Sequence, residues 1–304
     1  MRSVWAGIFC AGIGFAAFAA SPVEPAPASE NEALERGAYI FDAAGCKACH
    51  TDTKKKGPLL AGGRAIGTPF GTFYGPNITP DPVTGIGEWS DGDFIRALRS
   101  GISPDGGHYY PVFPYTSFTK MTERDMLDLK TYIFSLPPVE KPNRPHEVKF
   151  PFGFRPLLGF WKALHFTPGT FKPYPVKSAE LNRGTYLAKA LVHCGECHTP
   201  RTVTGGLDVS MSMAVTVDGP DGETIPNITP DAATGIGEWD LGDIEFALET
   251  GIKLDGDVLG SLMAEVVENG TSRLTAADRR AIALYLKSLA PIDNRVEAED
   301  EDPD

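Results

Sequence analysis

Apolar positions in this 304-residue chain fall into short stretches at helical spacing, several of them opened by a polar residue suited to cap a helix. Ser29 with Glu32 forms a capping box and predicts a helix running through Leu34, Tyr39 and Phe41 towards Cys46. Thr122 with Asp125 predicts a helix over 126–136, and Thr275 with Asp278 predicts one over 279–289. Two further helices are predicted over 92–100 and 242–250, each led in by a tryptophan, Trp89 or Trp239. Leu129 with Tyr132, and Ile282 with Tyr285, share one helical face and predict packing against the first helix of each half. Gly37 and Gly184 weaken their helices in isolation, so they predict a close crossing by a neighbouring helix.

This pattern occurs twice. Glu35-Arg36-Gly37-Ala38-Tyr39-Ile40 is answered by Asn182-Arg183-Gly184-Thr185-Tyr186-Leu187. Asn77-Ile78-Thr79-Pro80-Asp81 with Thr84-Gly85-Ile86-Gly87-Glu88-Trp89 returns as Asn227-Ile228-Thr229-Pro230-Asp231 with Thr234-Gly235-Ile236-Gly237-Glu238-Trp239. Segments this alike, so far apart, imply two homologous units.

At the end of each first helix stands the chain's most distinctive chemistry, Cys46-Lys47-Ala48-Cys49-His50 and Cys194-Gly195-Glu196-Cys197-His198. Two thiols three positions apart, followed at once by an imidazole, suit covalent haem: the sulfurs form thioethers to the vinyl groups and the histidine turns back onto the iron. One such motif alone is open to a zinc half-site or a redox dithiol. Two copies in a duplicated context predict two covalently attached haem c groups, on Cys46, Cys49, Cys194 and Cys197, with His50 and His198 as proximal iron ligands. A thioether as sixth ligand closes the iron and raises its potential, which favours electron transfer over catalysis. Met263, in a loop ahead of the last helix, is the candidate for the second haem, with Met211 and Met213 as substitutes. Met121 is the candidate for the first, with His108 competing and Met126 assigned to the core, although the duplication aligns Leu274 with Met121. Pro58 and Pro200 are the expected carbonyl partners of the proximal rings. For Trp89 and Trp239, core packing and an indole N–H to a haem propionate stand side by side.

Composition adds an address. Four of the five cysteines belong to the motifs, and the fifth, Cys10, sits in an N-terminal apolar run ending near Ala17-Phe18-Ala19. Residues 1–20 read as a signal peptide for export, with an uncleaved membrane anchor as the alternative. A formal charge of −12 argues against nucleic acid as a partner. Glu297, Glu299, Asp300, Glu301, Asp302 and Asp304 form an acidic tail, read as disordered and solubilising. Lys54, Lys55 and Lys56 with Lys47 give the first site a basic edge that the second lacks, suited to an acidic partner. Between the halves, Phe154, Leu157, Leu158, Phe160, Trp161 and Phe166 predict an irregular strap buried against both.

The motifs taken together resemble tandem class I cytochromes c, a family of small all-helical haem domains. More narrowly, PNITPDPVTGIGEWSDGDFIRALRSGI, YYPVFPYTSFTKMTERD and HCGECHTPR are similar to the cytochrome c subunits of periplasmic, membrane-associated alcohol, aldehyde and gluconate dehydrogenases. The resemblance implies an all-α fold of two cytochrome c domains, 29–140 and 179–292, joined by a linker over 141–178 and followed by the tail at 293–304. It also implies single-electron transfer in the periplasm, from a dehydrogenase donor to a cytochrome or oxidase acceptor, with peripheral attachment to a membrane complex as an option. Those subunits commonly carry three haems, whereas this chain has two motifs. The alternative is a haem enzyme, a dihaem peroxidase or small-molecule oxidase. It needs an acid–base group beside an open iron, for which Glu265 is the candidate.

Overall fold

The computed structural model describes residues 29–217 and 219–295. The expected signal peptide, Cys10 and the acidic tail beyond residue 295 lie outside the described residues.

Ser29 caps α1 (Glu30–Ala43) with the full box: its side chain accepts from the Glu32 N–H and Glu32 returns to the Ser29 N–H. A short helix α2 (Cys46–His50) carries the first motif. A hairpin follows, β1 (Ala65–Thr68) antiparallel to β2 (Gly71–Tyr74). Then come α3 (Asp91–Ser100), α4 (Tyr115–Phe118) and α5 (Glu123–Ser135). The connecting segment contributes β3 (Glu147–Val148), which pairs with β2, and α6 (Leu157–His165).

The second half repeats the order. α7 (Ala179–Tyr186) continues as a π-helical turn over Leu187–Leu191 and leads to α8 (Gly195–His198), the second motif. A two-stranded pair, β4 (Ala214–Thr216) with β5 (Ile225–Asn227), precedes α9 (Leu241–Thr250), α10 (Ser261–Asn269) and α11 (Ala276–Lys287). The fold is mainly helical. Among the described residues five short strands depart from the all-α expectation; both hairpins are local excursions between a motif and the duplicated loop that follows it.

α1 crosses α5, and α7 crosses α11. The crossings are as close as the glycines predict. A Cβ on Gly37 would stand 2.0 Å from the Asp128 carbonyl oxygen, and one on Gly184 would stand 1.8 Å from that of Ala281. Phe41 meets Tyr132 across the first crossing, with ring centroids 5.2 Å apart. One contiguous apolar cluster runs through both halves, joining Ile40, Met126 and Ile133 to Leu187, Leu191 and Ile282.

The linker departs from expectation. It touches both halves, through polar contacts as well as apolar ones: Lys162 Nζ donates to the carbonyls of Ser100 and Gly101, Trp161 Nε1 donates to Thr204 O at 3.1 Å, Phe166 meets Tyr115 and Phe171 meets Tyr186. Leu158 is buried, whereas Phe154 is 62 % and Phe160 72 % exposed. α6 is too short to cover both halves, so its apolar residues on the outer side stay in solvent.

Candidate functional site

α1 ends at Ala44, and Gly45, in the left-handed region at φ 62°, turns the chain into α2. That turn presents Cys46, Cys49 and His50 to one cavity of about 700 Å³, a volume in the range of cofactor sites. His50 Nδ1 lies 2.9 Å from the Pro76 carbonyl oxygen, which only accepts, so Nδ1 carries the proton. Burial lowers the pKa of the ring, with the Pro76 carbonyl opposing, so the imidazole is neutral and Nε2 keeps a lone pair for a metal. The second motif repeats this atom for atom: His198 Nδ1 donates to Pro226 O at 2.8 Å, and burial lowers its pKa likewise.

The proline carbonyls are placed by the duplicated loop. Asn77 Nδ2 donates to Thr84 Oγ1 and to the Val139 carbonyl, while its Oδ1 accepts from the Thr79 N–H and hydroxyl. Asn227 makes the same set with Thr234, Ile292 and Thr229. Asp81 and Asp231 each accept from the Thr84 or Thr234 N–H and hydroxyl. Each knot satisfies a buried amide and ties the loop to the chain leaving the last helix of its half, which fixes the adjoining proline. Gly75 completes the approach, since a Cβ there would fall 1.9 Å from the Cys49 carbonyl oxygen. The proximal partners are therefore Pro76 and Pro226, and not Pro58 and Pro200; the sequence signal was the proline opening each duplicated Pro-Asn-Ile-Thr-Pro run.

The thiols are held neutral. Cys46 is only half-buried by surface area because it opens onto the cavity, yet desolvation by the surrounding protein pushes its thiol up to about 12. Burial pushes Cys194 up to about 12 and Cys197 to about 11. Thiols kept protonated by burial are poor redox nucleophiles. Among the described residues no group of three or more His, Cys, Asp or Glu side chains is placed to hold a metal ion. An apolar cavity walled by two thiols and one imidazole with a free Nε2 fits haem c, and fits a zinc or dithiol site poorly.

Of the methionines, Met263 lies in the first turn of α10 and not in a loop, and is partly buried. Met213 is buried and takes the place of Leu60: the N–H of each is received by the threonine after the motif histidine, Thr199 or Thr51, and both have positive φ. It packs beside Gly195. Met211 sits in a 3-10 turn, Val209–Met211. Met121 and Met126 are fully buried in the core and are not among the cavity-lining residues. His108 Nδ1 receives Lys162 Nζ at 3.1 Å and also lies outside the lining. Trp89 does line the cavity, and Trp239 packs against the shared core. Glu265 is bound to Arg64 of the first half at 2.6 Å.

Among the lining residues that escape the sequence reading, two arginines and two histidines carry chemistry: Arg144, His146 and Arg155 from the linker, and His193. The first three lie outside the duplicated motifs, and β3 pairing with β2 brings them in. His193 stands where the first half has Gly45, at φ 47°. It thus lines the first cavity while preceding Cys194 of the second motif. The halves interlock here in both directions. Glu196 accepts from Thr116 Oγ1 at 2.5 Å and Ser117 Oγ at 2.7 Å, and α10 packs on α2.

The model of the cytochrome c family matches residues 34–137. The chain is 45 % identical to a diheme cytochrome c-type of Cereibacter sphaeroides, over 85 % of this chain and 86 % of that one. It is 40 % identical to the fructose dehydrogenase cytochrome subunit of Gluconobacter japonicus, over 89 % of this chain and 55 % of that one. It is 37 % identical to the gluconate 2-dehydrogenase cytochrome c subunit of Pantoea cypripedii, over 86 % of this chain and 61 % of that one. The chain thus spans most of the first relative but little more than half of the other two.

Proposed function

The chain belongs to the cytochrome c family, and on that premise we propose that it is a dihaem electron-transfer protein of two tandem class I domains, 29–140 and 179–292, joined by the linker at 141–178. Covalent haem c supplies reversible one-electron chemistry at iron. Cys46 and Cys49 hold one group and Cys194 and Cys197 the other, with His50 and His198 as proximal ligands. The observation that carries this reading is the neutral imidazole repeated in both halves, its Nδ1 proton fixed on a proline carbonyl and its Nε2 left free. Such a partner sets ring orientation and raises ligand basicity. Met263 closes the second iron. The Arg144 and Arg155 guanidiniums in the first cavity wall match the charge of haem propionates.

Because α8 bonds the first half through Glu196, α10 packs on α2, and His193 lines the first cavity next to Cys194, the two motifs would hold their haems close to the junction of the halves, an arrangement suited to electron exchange between them. The donor is a dehydrogenase and the acceptor a cytochrome or oxidase, in line with the fructose dehydrogenase cytochrome subunit among the relatives. Exposed Lys54, Lys55 and Lys56 offer an acidic partner a docking edge at the first haem. Among the described residues no helix is long and apolar enough to cross a membrane, and we place the protein in the periplasm after export. Catalysis of the peroxidase kind is disfavoured because Glu265, the acid–base candidate, is committed to Arg64.

Mass spectrometry of the chain expressed with a haem-attachment system tests this. Two haems per chain are expected, one in Cys194→Ala/Cys197→Ala, and none in the variant lacking all four thiols. A wild-type chain without covalent haem would overturn the reading.

A further inference from the structure

The two halves keep one register through the segment that carries Met263 in the second half. Ile102 bridges His108 and Ile252 bridges Val258, all in equivalent places. The Tyr109 N–H donates to Gly101 O, and the Leu259 N–H to Gly251 O. Four residues further on, the Phe113 N–H donates to Tyr110 O at 3.0 Å and the Met263 N–H to Gly260 O at 3.0 Å. Phe113 therefore stands where the second half has Met263. Beyond it the halves part, the first into Pro114 and α4, the second into the longer α10, and they rejoin at the caps Thr122 and Thr275. Met121 corresponds to Leu274, and both are buried core residues just ahead of those caps.

Among the described residues no methionine lines the first cavity. Phe113 lines the first cavity, and Met121 and Met126 do not. His108 is turned to Lys162. His146 Nδ1 accepts the Tyr74 N–H at 3.1 Å, so its proton sits on Nε2 and neither nitrogen has a lone pair free for iron. His193 packs on Phe118, with ring centroids 5.4 Å apart, and is joined directly to Cys194 of the second motif. The segment in register with the one that carries Met263 presents the apolar Val112, Phe113 and Phe118 to the cavity, beside the phenols of Tyr109 and Tyr110.

Resting on haem attachment at Cys46, Cys49 and His50, we propose that the first haem has an open sixth position behind Phe113, and that it binds one small uncharged diatomic ligand, while Met263 closes the second haem. An apolar wall admits a neutral diatomic without the cost of desolvating a charge, and distal polarity decides between binding and activation. The chain is then asymmetric by construction: one haem only relays electrons, and the other also senses or is blocked by a dissolved gas.

The test uses the full-length holoprotein with carbon monoxide as the probe. Mass spectrometry first fixes the haem count, and a chain with fewer than two haems overturns the haem reading and this inference with it. With two haems present, the dithionite-reduced protein is expected to take up one CO per chain, and its proton NMR spectrum to show one iron-bound methionine. Phe113→Met is expected to cut CO uptake at least tenfold and to add a second methionine signal. Met121→Leu is expected to leave both readouts unchanged. A wild type that binds no CO, or that shows two iron-bound methionines, overturns the proposal, as does CO uptake that rises in Met121→Leu.

Discussion

The Tyr39 hydroxyl donates to Asp278 Oδ2 at 2.6 Å although the two residues are 239 positions apart, and the same hydroxyl accepts the Thr275 N–H at 3.2 Å. Tyr186 does the same for Asp125 and the Thr122 N–H. Thr122 and Thr275 each cap their helix by accepting from the aspartate N–H three residues on. The return bond of a capping box is missing in both, because a tyrosine from the other half stands between the aspartate and the cap N–H. Each half thus completes the helix start of the other. Tyr39→Phe leaves Asp278 with Arg183 alone and is expected to cost about 1.5 to 3 kcal/mol, towards the lower end because that arginine remains. Urea unfolding of the holoprotein measures it, and Tyr186→Phe should cost a similar amount.

The same carboxylate sets an acid limit. Burial alone pushes Asp278 up, but the hydrogen bonds from Arg183 and Tyr39 outweigh it and hold the group below its usual range. A pKa depressed on folding contributes stability that is present above the unfolded value of about 3.9, and that is lost as pH falls through the folded one. Tm is expected to fall in that acid window, and to fall less steeply in Asp278→Asn, which starts from a lower Tm at neutral pH. Thermal unfolding against pH for both proteins checks the sign.

Gly184→Ala tests the helix crossing that holds the second motif. The added Cβ would meet the Ala281 carbonyl oxygen at 1.8 Å, a backbone atom that cannot swing away. More than about 3 kcal/mol of stability is expected to be lost, as for severe overpacking. Chemical denaturation of the holoprotein gives the number, and a change under about 1 kcal/mol would contradict the packing described.

Met263→His exchanges a thioether for an imidazole at the second iron. A bis-histidine site has a lower potential than a methionine–histidine one. About half of the haem absorbance, one haem of two, is expected to titrate at a lower potential while the other half stays in place, as read by spectroelectrochemistry. No change in either half would remove Met263 from the iron.

Most of the local structure was legible in the sequence. Capping residues placed the start of α1 and the caps Thr122 and Thr275, although α5 and α11 each begin three residues ahead of the expected ranges; the glycines gave the two crossings, and the repeats gave the second half from the first. What escaped depends on partners far apart in the chain. The proline carbonyls reach their histidines across 26 and 28 residues, and the Asn77 and Asn227 knots that place them span 62 and 65. Phe113 was hidden as the counterpart of Met263 because the halves differ in length between there and the cap threonines, so aligning the caps brings Met121 to Leu274 instead. The linker follows its apolar pattern only in part: Leu158 and Phe166 pack on the first half, whereas Phe154 and Phe160 are exposed, and Lys162, Trp161 and His165 add polar bonds that the pattern does not show.

The central claim, two haems exchanging electrons one at a time, is tested most directly by coulometric titration of the full-length holoprotein with absorbance detection. Two electrons per chain are expected, taken up and released reversibly in two resolvable one-electron steps, because Met263 and Phe113 give the irons different sixth positions. Uptake of one electron or fewer per chain, or reduction that does not reverse, would contradict it.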